Sequence, residues 1–522
     1  MPRRTITTAL ALTGAAALVA VAPPSSAQVP AIPGVPTEAI AIMNSAPYAG
    51  STWALKVADA ASGEVLVSFQ SGQLLEPASV TKTFSAGSAW LAFGPESRVV
   101  TPVVRTGPVR SGTLRGDLVL IGKGDLTMGG QTGPDGSVVF TDMDHNDANV
   151  LPGATIANNN PLAGLDRLAR QVKASGITRI GGDVVVDDRL WITEDLGEND
   201  GPVSPIIINN NLIDIVASPT RPGKAASIRM RPEVSPWHVV NRTRTVPAGS
   251  PGGIDLEWDD SGRIVVTGRV PVGSPPLLKV VHFDDPATFA RTAFIEALQR
   301  VGVTVDGDPV AANSTAGLPA LRAVERLPRV ASLRGLPLEE EATYVLKVSY
   351  NRGGQTFVCR LAVTAGSRDC NDGFPVMARV LRENGIDPRG ASFVDGSGLP
   401  GNFMTADTGV ALMRAFAARP DSVRWRNALP ILGVDGSVAT VAANTPAKGN
   451  VYAKTGTLGA GDYLNSRLRL ETKALSGYIV AKSGRELAFT LMVNQAMFDD
   501  IQGVFAANND LGDIAAALWE AY

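Results

Sequence analysis

The sequence predicts an α+β protein, an antiparallel sheet with helices packed on it, interrupted by a large β-rich insertion. Three observations lead there. Trp53, Leu55 and Val57 alternate with small or polar residues, Ser62-Gly63 supplies a turn, and Val65, Val67 and Phe69 alternate again, so a hairpin runs directly into a helical pattern. The last third repeats that texture, whereas residues 99–325 between them are dominated by short apolar runs with glycine turns.

Taken in order, Pro36 to Ser45 is a helix candidate. After the hairpin, Val80, Phe84, Gly87 and Leu91 recur at helical spacing until Gly94-Pro95 stops the run. Within the insertion, strands are expected at Leu118–Ile121, Ile180–Val186, Ser227–Arg231 and Ile264–Val270, with helices at Leu162–Ala174 and Pro286–Val301. Beyond it come helices at Leu336–Ser349 and Gly373–Asn384 and a strand at Val451–Leu458. A hairpin follows from Tyr478–Ala481 and Leu487–Val493 around Ser483-Gly484, then a closing helix at Ile514–Tyr522. The expected organisation is therefore a discontinuous domain, 28–98 and 326–522, sharing one sheet, with 99–325 inserted as one or two modules.

Composition narrows the function. The chain has 522 residues, 44% hydrophobic and 19% charged, with 54 Gly and 36 Pro, the profile of a globular protein. Net charge is −3 and no basic cluster appears, which disfavours nucleic-acid binding. Residues 1–27 read as a secretory signal, with Arg3-Arg4, an Ala-rich apolar stretch and a small-residue cleavage site at Ser25-Ser26-Ala27. No later stretch is long enough for a membrane helix, so the expected location is extracytoplasmic, without an integral membrane segment after cleavage. Cys359 and Cys370 survive export, and either a local disulfide or two buried thiols fits them. Asp142 to Asn146 resembles the opening of a calcium loop, but the sixth and twelfth positions hold Asp147 and Gly153, so no metal is expected there. No other ligand cluster has credible spacing, and no cofactor is expected. The acceptor patterns Asn241-Arg242-Thr243 and Asn313-Ser314-Thr315 are weak and carry no argument.

The chemistry concentrates in three short stretches. Ser79 and Lys82 stand one helical turn apart at a helix mouth opened by Pro77, a seat for a serine nucleophile with a lysine as its base. Alone this spacing is loose, since about two such pairs arise by chance in a chain of this length. Ser349-Tyr350-Asn351 and Lys454-Thr455-Gly456-Thr457 complete it, the latter on a strand beside a hairpin.

Ser-x-x-Lys, Ser-x-Asn and Lys-Thr-Gly in this order resemble the penicillin-recognising serine enzymes. Phe393 to Leu399, Leu429-Pro430 with Gly433 to Gly436, Ile180 to Asp183, Gly201 to Asn211 and the long insertion are similar to the D-alanyl-D-alanine carboxypeptidase/endopeptidase family, the class C low-molecular-mass penicillin-binding proteins. The resemblance implies a penicillin-binding, serine β-lactamase-like domain with helices on both sides of the sheet. It further implies that Ser79 attacks the carbonyl between two D-alanines of peptidoglycan stem peptides and is acylated by β-lactam antibiotics. Lys82 would take the serine proton, for which it must leave the ordinary lysine pKa of about 10.4, with Lys454 supplying part of the bias. Ser349 would relay a proton to the leaving amine, and Asn351 would orient Lys82 and bind the substrate amide. Lys454, Thr455 and Thr457 would hold the terminal carboxylate, and the N–H groups of Ser79 and Thr457 would form an oxyanion hole.

Asp395 to Gly398 and Asp435-Gly436 read as turns. Tyr350, often Asp in relatives, is expected to touch substrate fit. A Ser-His-Asp hydrolase is disfavoured because His145, His238 and His282 all fall in the insertion. The alternatives are a β-lactamase using the same residues, or a non-catalytic cell-wall-binding protein.

Overall fold

The computed structural model describes residues 28–197 and 200–522. The expected signal segment, 1–27, lies outside the described residues. The central sheet has five antiparallel strands in the order Val65–Phe69, Thr52–Asp59, Glu486–Phe498, Arg467–Val480, Val451–Asp462. The two ends of the chain meet in it: Thr52 to Asp59 pair with Asn494 to Leu487 in unbroken register. Period-two alternation sorts its two faces. Trp53, Leu55, Val57, Leu487, Phe489, Leu491 and Val493 pack with the helices Thr37–Met43 and Gln502–Ala521. Ala54, Ala58, Ala474, Ala488 and Met492 face the opposite layer, formed by the helices Lys82–Phe93, Leu338–Lys347, Asn351–Thr364, Gly373–Glu383, Ala406–Ala417 and Ser422–Ala428. Helices thus cover both faces of the sheet, and the small residues on the second face admit them closely.

The strands are longer than the sequence suggested. Arg467–Val480 begins well before Tyr478, and its outer end carries Arg469 paired with Glu471 and Arg467 paired with Asp462, which hide the alternation. The helix expected at Leu336–Ser349 spans Leu338–Lys347, because Arg329–Pro337 is a strand. That strand pairs antiparallel with Arg98–Arg105, so the chain enters and leaves the β-rich region through two neighbouring strands. The region has its own core, in which Leu168, Ile215, Val266, Phe289, Phe294 and Leu298 are buried together. Among the described residues no helix is long and apolar enough to cross a membrane.

Cys359 and Cys370 form a disulfide, tying the helix Asn351–Thr364 to the turn before Gly373. With Glu194 they make the one grouping of possible metal ligands among the described residues, and both sulfurs are engaged in the S–S bond. The segment that resembled a calcium loop uses its carboxylates otherwise: Asp142 accepts from the Gly436 N–H and Asp144 caps the turn His145–Asp147.

Candidate active site

Ser79 sits in a single 3₁₀ turn, Ala78–Thr81, that feeds the helix Lys82–Phe93. Val80 and Phe84 anchor this turn in the core. Ala78 takes a left-handed φ of 46°, and Ser349, where the helix Leu338–Lys347 gives way to Asn351–Thr364, takes 60°. Both are strained conformations for residues with a Cβ, of the kind that concentrate where function over-determines the backbone. Gly456 is required by proximity: a Cβ there would lie 2.1 Å from the Pro77 carbonyl oxygen. Its absence lets the Lys454 strand lie directly against the Ser79 turn.

Lys82 is fully buried. Its Nζ lies 2.7 Å from Ser79 Oγ, 2.5 Å from Asn351 Oδ1 and 2.8 Å from the Ser397 carbonyl oxygen. Two of these partners can only accept and the third is a hydroxyl able to donate. That matches the two N–H groups and one lone pair of a neutral amine. Burial lowers the Lys82 pKa to about 8, while the charges of Asp200, Asp395 and Asp147 oppose the shift. Desolvation is the chief cause at Lys82. The repulsion between the two lysines is mutual and disfavours charge on both, and Lys454 falls well below the ordinary lysine pKa through burial first, then through Lys82 and Lys473.

Lys454 Nζ donates to Ser349 Oγ at 3.0 Å and to the Thr455 carbonyl at 2.7 Å. Thr455 Oγ1 and Ser437 Oγ are 2.8 Å apart. The structure thus gathers all eight residues singled out from the sequence, Ser79, Lys82, Ser349, Asn351, Lys454, Thr455, Gly456 and Thr457, around the Ser79 turn. Of the two turn-like stretches, Asp395 to Gly398 contributes a backbone carbonyl to the site. Asp395 accepts from the N–H groups of Ser397, Gly398 and Leu399 and from Asn402, fixing the loop that presents the Ser397 carbonyl to Lys82. Asp435 pairs with Lys347 at 2.7 Å.

Tyr350 is a further correction. It is buried, its ring 5.5 Å from that of Tyr344 and near the Arg352 guanidinium, so it packs behind the site and presents no surface to substrate. His145 is buried against Asp214 at 2.6 Å, and His282 Nδ1 lies 2.9 Å from Arg352 Nη1.

Two residues escaped sequence reasoning. Asp200 reaches in from the insertion and accepts two hydrogen bonds from Asn351 Nδ2, at 2.9 and 3.0 Å, which fixes the amide so that its oxygen faces Lys82. Its sequence signals were an Asn-Asp-Gly-Pro run and its place next to the family-like stretch Gly201 to Asn211, neither of which marks Asp200 itself. Lys473 lies on the strand Arg467–Val480, directly opposite Thr457, and donates to Thr457 Oγ1 at 2.8 Å. Following Arg469 and Glu471 on a strand with a charged outer end, it gave the sequence no distinct signal.

Comparison with known proteins adds three findings. A model of the D-Ala-D-Ala carboxypeptidase 3 (S13) family matches residues 37–509. A D-alanyl-D-alanine carboxypeptidase of Actinomadura sp. (strain R39) is 28% identical over 480 residues, covering 87% of this chain and 80% of that protein. The crystal structure of penicillin binding protein 4 (dacB) from Haemophilus influenzae superposes with a TM-score of 0.65 at 19% identity, over 92% of this chain and 97% of that one, a likeness of fold.

Proposed function

The chain belongs to the D-Ala-D-Ala carboxypeptidase 3 (S13) family, and we propose that it is an exported serine DD-peptidase that removes the terminal D-alanine of peptidoglycan stem peptides through a Ser79 acyl-enzyme. Cleavage of cross-linked peptides at the same bond is part of the proposal, as is acylation of Ser79 by β-lactams. The observation that carries it is the buried Lys82 amine held between Ser79 Oγ, Asn351 Oδ1 and the Ser397 carbonyl. Export is supported by the pattern of residues 1–27 and by the disulfide, which persists in oxidising compartments.

In this mechanism neutral Lys82 takes the Ser79 proton as Oγ attacks the carbonyl of the penultimate D-alanine. The N–H groups of Ser79 and Thr457 stabilise the developing oxyanion. Lys454 keeps Ser349 oriented, and the Ser349 hydroxyl passes its proton to the leaving amine while taking up the one Lys82 received, which returns Lys82 to its neutral form. Thr455, Thr457 and Lys454 receive the carboxylate of the departing D-alanine. Water then attacks the acyl-enzyme, Lys82 acting again as base. Because the base must be uncharged, kcat/KM falls as the pH drops below about 8.

Intact-mass spectrometry after incubation with benzylpenicillin, wild type beside Ser79→Ala, tests this while D-alanine release from a D-alanyl-D-alanine peptide is followed in parallel. A covalent adduct on wild type alone, with peptide turnover reduced by roughly 10³-fold or more in the variant, is the expected outcome. Fast antibiotic hydrolysis without peptide cleavage would reassign the site as a β-lactamase. An inert wild type would leave a wall-binding relative.

A further inference from the structure

We propose that Lys473 is a further substrate-binding residue of this site, its ammonium group serving as counter-ion to the C-terminal carboxylate of the substrate at Thr457. The inference rests on the DD-peptidase reading and extends it to a residue outside the three motifs.

Lys473 and Thr457 are directly paired across two antiparallel strands, so their side chains share a face of the sheet. Lys473 is 3% exposed, and its Nζ lies 2.8 Å from Thr457 Oγ1. Among the described residues no carboxylate pairs with it. Glu471, the nearest acid along its strand, is taken by Arg469 at 2.5 Å. Lys347 makes the contrast within the same molecule: it too is buried, but both Asp435 oxygens lie 2.7 Å from its Nζ. Holding an unpaired ammonium group out of water is unfavourable, and a lysine kept only for packing gains nothing from it.

The hydroxyl it touches belongs to the residue that opens toward solvent at the end of the Lys-Thr-Gly-Thr stretch, since Thr457 is half-buried where Thr455 and Gly456 are buried. Lys454 makes its hydrogen bonds to Ser349 and to its own strand, which ties it to the proton relay. Lys473, beside Thr457 and without such engagements, is a second cation that can join Lys454 in meeting an incoming anion. Burial holds its pKa down to about 7, so at neutral pH and above it takes up a proton when a carboxylate arrives beside it.

The test compares wild type, Lys473→Met and Lys473→Arg on an N-acylated D-alanyl-D-alanine and on the same peptide with a C-terminal carboxamide. The Met variant is expected to lose roughly ten- to a hundredfold in kcat/KM on the acid through a higher KM, the scale of a charge-assisted hydrogen bond. The carboxamide should be unaffected and Arg should restore the preference for the acid. The wild-type KM for the acid should rise with pH above about 7, and that dependence should vanish in the Met variant. The Met variant should also melt at a higher temperature, because an unpaired buried cation has been removed. Equal losses on acid and carboxamide, with a lowered melting temperature, would mark a structural lysine and overturn the proposal. An unchanged acid-to-carboxamide ratio in an active Met variant would overturn it too, leaving the DD-peptidase reading intact. A wild type that neither releases D-alanine nor reacts with benzylpenicillin would remove that reading, and this inference with it.

Discussion

The two sides of the site treat their lysines in opposite ways. On the Ser79 side, Lys82 is surrounded by Asp200, Asp395 and Asp147, whose charges work against its burial. On the Thr457 side, Lys454 has only Asp147 opposing the joint effect of burial, Lys82 and Lys473, and Lys473 has burial alone. One side is lined by carboxylates, and the other, among the described residues, holds two buried lysines whose charged forms are disfavoured until an anion arrives. The difference follows the origin of the residues: Asp147 and Asp200 come from the β-rich insertion, whereas Lys454 and Lys473 stand on neighbouring strands of the sheet. A substrate with a neutral scissile carbonyl at one end and a carboxylate at the other fits that asymmetry. The same residue type can then act as a base on one side and as an anion receptor on the other.

The largest expected effect comes from separating the two sides. In Gly456→Ala the new Cβ would meet the Pro77 carbonyl oxygen, backbone that cannot rotate away, and must push the Lys454 strand from the Ser79 turn. Overpacking of this kind costs about 1–3 kcal/mol in stability. A displacement of about 1 Å between the nucleophile and the groups that position substrate costs on the order of 10²-fold in rate. Both melting temperature and benzylpenicillin acylation rate should fall; an unaltered acylation rate would show that the two sides need no fixed spacing. Next comes adding a negative charge to the two-lysine side. Ser437→Asp places a carboxylate where Ser437 Oγ now lies 2.8 Å from Thr455 Oγ1. Like-charge juxtaposition with the substrate carboxylate costs several kcal/mol. A KM for D-alanyl-D-alanine peptides raised by about 10²-fold is expected, with the carboxamide peptide little affected. Equal damage to both substrates would break the assignment of the carboxylate to this side.

How much of this was legible in the sequence divides along the same line. Ser79, Lys82, Ser349, Asn351 and the Lys454 to Thr457 stretch lie in compact motifs, because each must present several groups from one turn or one strand edge, and local spacing records that need. The hairpin and the helix mouth were readable for the same reason. Asp200 was not, since it stands 151 residues from Asn351 and meets it only when the insertion folds back over the peptidase sheet. Lys473 was hidden differently: it is 16 residues from Thr457, across a hairpin whose charged outer ends obscure the alternation that would have aligned the two strands. Tyr350 misled because its place inside a motif suggested contact with substrate, while its ring packs inward against Tyr344. The helix Ala406–Ala417, capped by Thr405 on the Thr408 N–H, also went unassigned, although Thr-Ala-Asp-Thr is a recognisable helix start.

The smallest effect, and the one that probes the carboxylate-lined side, belongs to Asp200→Asn. The amide retains an oxygen that can accept from Asn351 Nδ2, so the geometry around Lys82 is largely kept while one negative charge is removed. That charge is the first of those holding the Lys82 pKa up. Without it the pKa falls, and neutral Lys82 persists to lower pH. The acid limb of kcat/KM, which in wild type follows Lys82 near pH 8, should therefore move downward by up to about one unit. If Asp200 served only to hold Asn351 in place, the limb would stay where it is and activity would drop evenly across the pH range. A downward shift has a consequence for the whole molecule: the insertion sets the working pH of a base that the peptidase half supplies. Replacing the insertion would then alter the chemistry at Ser79 even with every motif residue intact.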